Sequence, residues 1–91
     1  MKVVIHKNFL KDLSKIPTHL RRRIEKFIFT EISNFKNINE IGKAEKIQGY
    51  DEFYKIRFGD FRAGIRYENN EITFERVLHR KDIYRHFPKN Q

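Results

Sequence analysis

The rhythm of apolar and polar positions changes twice along the chain, dividing it into three stretches. At the start, Val3, Val4 and Ile5 are β-branched in succession, which predicts a strand from Lys2 to His6 with apolar residues on both faces. The period then becomes helical. Phe9, Leu10, Leu13 and Ile16 recur at helical spacing, Lys7, Lys11 and Lys15 fall off the stripe, and Asn8 stands where an N-cap belongs. Pro17 stops this helix, and Thr18 is placed to cap a second. In that helix Leu20, Ile24, Phe27, Ile28 and Ile32 mark out one apolar face. Two such helices in succession form a hairpin whose joint apolar face must be laid on another layer.

Residues 34–52 have no clear period and are punctuated by Asn37, Asn39, Gly42 and Gly49, which predicts a connection with a short strand at 46–48. From Phe53 the period is two. A strand over Phe53–Phe58 turns at Gly59-Asp60 into a second over Phe61–Tyr67. Asn69-Asn70, tolerant of positive φ, then joins it to a third over Glu71–Leu78. Tyr54, Ile56, Phe58, Phe61, Ala63, Ile65, Tyr67, Ile72, Phe74 and Leu78 fall on the face directed at the helices, and Lys55, Arg57, Arg62, Arg66 and His79 on the other. Arg76 breaks the alternation on the apolar side, which predicts an edge position or an acidic partner. Gly64 marks a bulge or a close approach of another backbone. After the last strand, a single helical turn is expected to bring Arg80 and Tyr84 to one face. The pattern predicts an α+β fold: an N-terminal strand, a two-helix hairpin packed on an antiparallel sheet of three C-terminal strands, and a short C-terminal helical turn.

A length of 91 residues suits a single domain, 1–91, with nine Phe and four Tyr supplying much of the core. The absence of Cys excludes disulfides and thiolate metal sites, and four His without the spacing of a metal site predict neither metal nor other cofactor. No apolar run is long enough for a signal peptide or a membrane span, so a cytoplasmic protein with no membrane partner is expected. Charge changes the picture more. The net charge is +8, and the basic residues run from Lys2 to Lys89 rather than gathering in a tail. This favours a polyanionic partner, nucleic acid above all, or an acidic protein.

Adjacent antiparallel strands set the basic residues of the wet face side by side, about 5 Å apart, and opposed like charges cost roughly 0.2–1 kcal/mol per pair. An anion would relieve that repulsion, and Arg recognises phosphate with a two-bond fork. A Tyr hydroxyl set beside a cation is a candidate proton-transfer group, which singles out Tyr84. His79 and His86 are further candidates, since imidazole changes charge near neutral pH. Arg21, Arg22, Arg23 and Lys26 open the second helix, where the dipole disfavours cations. They read either as a solvated helix surface or as charge with a use.

The order of elements, together with YKIRFGDFRAGIRY (Tyr54 to Tyr67) and VLHRKDIYRHF (Val77 to Phe87), resembles the RelE/ParE superfamily of toxins from toxin–antitoxin modules over nearly the whole chain. The resemblance implies a metal-independent endoribonuclease that cleaves mRNA in the ribosomal A site. The ribose 2′-OH attacks the adjacent phosphate and leaves a 2′,3′-cyclic phosphate and a 5′-OH. By similarity, Lys55 and Arg57 match the basic pair of the first of the three strands. Arg62 matches the Arg that stabilises the phosphorane, Arg80 the second phosphate-binding Arg, and Tyr84 the Tyr at the attacked nucleotide. Arg57 stands where RelE itself has Lys, and the interval from Arg80 to Tyr84 is shorter, so His86 becomes a second candidate for the general acid. Arg57, Arg66, His79, Lys81, Arg21, Arg22, Arg23 and Lys26 are then expected to bind RNA. The implied partners are a cognate antitoxin, the ribosome and mRNA. The alternative within the superfamily is a ParE-like inhibitor of DNA gyrase without ribonuclease activity.

Overall fold

The computed structural model describes residues 1–88. The first strand, β1 (Lys2–Ile5), leads into α1 (Lys7–Leu13), and a turn through Pro17 leads into α2 (Thr18–Phe29). Both predicted caps are displaced. The α1 cap is His6, whose Nδ1 accepts the Asn8 N–H at 3.0 Å, and α2 is preceded by Pro17 with no side-chain cap, Thr18 being already helical. The second helix stops at Phe29, short of Ile32, which lies in a 3₁₀ turn over Glu31–Asn34; a second 3₁₀ turn, Ile38–Glu40, falls within the aperiodic connection. A short strand does follow, but β2 spans Ala44–Lys46, earlier than expected. Then come β3 (Phe53–Phe58), β4 (Phe61–Glu68), β5 (Glu71–His79) and the four-residue α3 (Ile83–His86). Both hairpin turns follow their residue types: Gly59 has φ 57°, and Asn69 and Asn70 have φ 51° and 57°.

The three expected strands form the middle of a five-stranded sheet of order β1-β5-β4-β3-β2. β1 lies parallel to β5, with Lys2 opposite Glu71, and β2 pairs antiparallel with β3 at the other edge. A parallel pair needs a long crossover, and the helix hairpin is part of it. The α+β class stands, with two strands more in the sheet than the pattern showed. One face carries the helices. Phe9, Leu13, Ile24, Phe27 and Ile28 are buried against Ile56, Phe58, Ala63, Ile65, Ile72, Phe74 and Val77. Phe9 meets Phe74 edge to face at 5.4 Å, a contact worth about 0.5–1.5 kcal/mol beyond area burial. Leu10, counted in the apolar stripe, is 46% exposed.

The alternation breaks once, in β5. Ile65 pairs with Phe74 but Gly64 with Arg76, so Glu75 is an extra residue and β5 carries a bulge. The shift has three consequences. Val77, not Arg76, stands opposite Ala63 in the core. Leu78, expected on the helix side, pairs with Arg62 of the other face. His79, expected on the wet face, pairs with Phe61 and stacks edge to face with it at 5.5 Å, on the helix side. Arg76 has the acidic partner its position called for. Its Nε and Nη2 donate to the Asp12 carboxylate of α1 at 2.7 and 3.1 Å, and the same carboxylate accepts the Val77 N–H at 3.1 Å. That hydrogen bond chiefly raises the Arg76 pKa, against the effect of burial.

The opposite face is only partly wet, because α3 folds back over it. Ile83 and Phe87 are buried there, apart from the helix-side core. The Phe87 ring lies so close over Gly64 that a Cβ there would stand 2.5 Å from its Cδ2, and it meets Phe53 edge to face at 5.4 Å. Gly64 thus faces a bulge and also accommodates a close approach, though of a ring rather than a backbone. A four-residue helix has no stability of its own. Its place is set by these two anchors.

Candidate functional site

The site is built on the face that α3 only partly covers. Lys55 of β3 stands opposite Gly64, whose missing side chain leaves room for the α3 segment alongside it. Ile83 and Phe87, one helical turn apart, face the sheet, and Tyr84 is left 56% exposed. The Lys55 ammonium donates to the Tyr84 hydroxyl oxygen at 2.9 Å and lies 5.5 Å from the ring centroid. With its oxygen accepting from Lys55, the hydroxyl retains its own proton for an outside acceptor.

Arg57 is on the same side of β3, two residues on, roughly 7 Å along the strand. It stands directly opposite Arg62 of β4. Arg62 turns back on the hairpin, donating from Nη1 to the Gly59 carbonyl at 2.9 Å and the Phe61 carbonyl at 3.0 Å. Arg80 reaches the same turn from the other direction. Its N–H donates to the Asp60 carbonyl at 2.7 Å, and its Nε lies 3.7 Å from the Asp60 carboxylate. Arg80 and Tyr84 do not share a helical turn as expected, since α3 begins only at Ile83. The hydrogen bond from Arg80 to the hairpin and another from the Asp82 N–H to the His79 carbonyl shape residues 80–82 as a turn.

The remaining expected residues are scattered. Arg66 lies between Glu68 at 3.5 Å and Glu75 at 3.3 Å, which removes it from the uncompensated charge. His79 accepts the Lys81 N–H on Nδ1 at 3.1 Å, and so shapes the turn that delivers Arg80. Lys81 is exposed in that turn, and His86 is exposed at the end of α3. Arg21, Arg22, Arg23 and Lys26 are on α2, across the sheet from Lys55 and Tyr84. Arg21 is half-buried, its Nε enclosed without a hydrogen-bond partner among the described residues. Arg23 and Lys26 line a cleft of about 240 Å³ with Phe27, Glu31, Lys43 and Phe58. The Lys43 ammonium lies 4.3 Å and 4.5 Å from the Phe27 and Phe58 ring centroids. Burial lowers its pKa, Glu31 opposes that, and Arg23 adds to it.

The structure therefore places Lys55, Arg57, Arg62 and Tyr84 on one face, Arg80 at the β3–β4 turn beside it, and the α2 cations on the opposite face. Lys55, Arg57 and Arg62 with the Tyr84 hydroxyl form a basic patch, flanked at the turn by Arg80 and Asp60. Such a set suits a phosphodiester: donors for the non-bridging oxygens and a hydroxyl for proton transfer. Sequence reasoning missed Asp60 as the partner of Arg80, and Phe87 and Ile83 as the anchors of Tyr84. The signal for the anchors was Gly64, whose missing side chain admits the Phe87 ring.

A family model described as the ParE toxin of the type II toxin–antitoxin system parDE matches residues 3–84. Toxin RelE3 of Methanocaldococcus jannaschii is 46% identical over 89 residues, covering 97% of this chain and all of the relative. A chain of a RelB-RelE antitoxin-toxin complex from Methanococcus jannaschii superposes with a TM-score of 0.76 at 43% identity, covering 93% of this chain and 99% of that one. The isolated E. coli RelE toxin shares the fold at a TM-score of 0.65 and 17% identity, with 86% of this chain and 82% of that one covered.

Proposed function

Because this chain belongs to the RelE/ParE family of toxins from type II toxin–antitoxin modules, we propose that it is a ribosome-dependent, metal-independent endoribonuclease acting on mRNA. The observation that carries this reading is the Lys55–Tyr84 pair, hydrogen-bonded at 2.9 Å on the face that also holds Arg57 and Arg62. In the proposed reaction the 2′-oxygen forms a bond to phosphorus as its proton is lost to a base. The bond from phosphorus to the 5′-oxygen then breaks, and a proton from the enzyme completes the 5′-OH. Arg62 and Arg80 hold the non-bridging oxygens, where one preorganised donor is worth about 10²–10³ in rate. Arg62 leaves its turn carbonyls to do so, exchanging neutral acceptors for an anion. Tyr84, with its proton free and Lys55 steadying its oxygen, supplies the leaving-group proton. His86, exposed at the end of the same helix, is the second candidate. Arg57 and the α2 cations are assigned to RNA phosphates.

Antitoxin–toxin complexes among the similar structures support a cognate antitoxin for this chain. Its expected chemistry is an acidic or amphipathic segment laid over the basic face. The test is cleavage-site mapping on a translated message with ribosomes present and then omitted. Cuts are expected only with ribosomes, ending in a 2′,3′-cyclic phosphate, and are lost in an Arg62→Ala, Arg80→Ala double variant. An intact message in the complete system would sink the reading. A family model named for ParE keeps the gyrase reading in view, but the assembled Lys55, Arg62, Arg80 and Tyr84 favour RNA. A supercoiling assay is expected to show gyrase unaffected.

A further inference from the structure

One buried charged group lies outside this chemistry: Asp12, only 8% exposed, on the helix side of the sheet. We propose that Asp12 is a positioning residue for the site on the opposite face, acting by holding the β5 bulge in place. Its effect on cleavage rests on the endoribonuclease reading above; its effect on the geometry of the free protein does not.

A bulge disrupts the ladder where the extra residue enters, and Asp12 binds at that point. It accepts both Arg76 hydrogen bonds and the N–H of Val77, the two residues that follow the extra Glu75. Without the bulge, Arg76 would stand opposite Ala63 in the apolar core, and every later residue of β5 would change sides. The bulge therefore decides from which side of the sheet the chain enters the turn that carries Arg80. Across from it is Gly64, which pairs with Arg76 and lies beneath the Phe87 ring. Phe87 anchors the segment that sets Tyr84 against Lys55. A continuous run of contacts thus joins an α1 carboxylate to the hydroxyl on the far face.

The test compares Asp12→Ala and Asp12→Asn with Ile28→Val, a core truncation in α2 that leaves the bulge intact. The first readout is NMR of the free protein: the Tyr84 ring signals and the contact between Tyr84 and the Lys55 side chain. The second is single-turnover cleavage on programmed ribosomes over a range of toxin concentrations. In the Asp12 variants the Tyr84 signals are expected to shift and the contact to weaken. Their rate at saturation is expected to fall about tenfold to a hundredfold, the scale of a misplacement near 1 Å, with the half-saturating concentration unchanged. Ile28→Val is expected to leave all of these in place. Asp12→Asn keeps the side-chain shape and one acceptor, so it decides the matter where Asp12→Ala does not fold. Wild-type Tyr84 and Lys55 signals in a folded Asp12 variant overturn the proposal, whatever the cleavage assay gives. If the wild type itself cuts no message, the endoribonuclease reading fails and the NMR comparison still decides the role of Asp12.

Discussion

Tyr84 and Lys43 are two polar groups set against neighbours that change what they can do. The Tyr84 hydroxyl accepts from Lys55 and keeps its own proton. Tyr84→Phe removes that proton and leaves the ring, so single-turnover cleavage is expected to fall by about 10²–10⁴, the usual worth of a positioned acid. Binding to the ribosome should stay within about twofold. A wild-type rate in Tyr84→Phe would transfer the acid role to His86. Lys43 has a pKa lowered from 10.5, chiefly because its ammonium is partly buried against Phe27 and Phe58. Between the lowered value and 10.5 the unfolded chain holds a proton that the native chain has released. Stability contributed by this group therefore rises with pH across that window. Lys43→Met is expected to flatten the alkaline part of the stability curve, measured by urea unfolding at successive pH values. Parallel curves for the two proteins would show that burial of Lys43 has no thermodynamic weight.

Among the elements, α3 depends most on its surroundings. It is four residues long and held by Ile83 and Phe87, the latter pressed on Gly64. Gly64→Ala puts a methyl group into the Phe87 ring, and overpacking of this kind costs about 1–3 kcal/mol. Phe87→Ala empties the site and is expected to cost about 3–5 kcal/mol. In the double variant the methyl meets no ring, so the two costs should fall short of additivity by about 1 kcal/mol or more. Strict additivity in equilibrium unfolding would mean that the contact does not constrain the fold. Both single variants should also slow cleavage, because Tyr84 is carried on the segment they disturb. The expected Arg80-to-Tyr84 turn failed here for an identifiable reason. Arg80 hydrogen-bonds to the β3–β4 hairpin instead of starting a helix, a competition invisible within the segment itself.

Over the whole molecule, whose net charge is +8, two groups of basic residues stand on different sides of the sheet. One comprises Lys55, Arg57 and Arg62, with Arg80 at the adjoining turn; the other belongs to α2. If both contact RNA, each phosphate neutralised contributes about −0.7 to −0.9 to the slope of log affinity against log salt. An Arg22→Gln, Arg23→Gln variant is then expected to reduce the slope of ribosome binding by about 1–2 while leaving the saturated cleavage rate unchanged. Arg62→Ala should lower the rate much more than it lowers affinity. An unchanged slope in the α2 variant would confine RNA contact to the Tyr84 face.

What was legible in the chain follows from what is local. Helical and strand periods, Pro17, the Gly59 and Asn69-Asn70 turns and the division of β3 and β4 into an apolar and a basic side are set by neighbours within a few residues. Those periods predicted the helix hairpin, the three central strands and the placement of Lys55, Arg57 and Arg62. The phase of β5 was not local. It is set by the bulge, beside which a carboxylate 64 residues earlier in the chain binds Arg76, and the bulge changes the sides of Leu78 and His79. The pairing of β1 with β5, the neutralisation of Arg66 by Glu75 across a strand pair and the seat of Phe87 on Gly64 are likewise contacts between distant segments. Returning to Lys55 and Tyr84, the sequence by itself determined that both side chains exist at the right places in their elements. Only the tertiary structure decided that they meet, because the seat of Phe87 on Gly64, a contact between segments far apart in the chain, brings α3 back across the sheet.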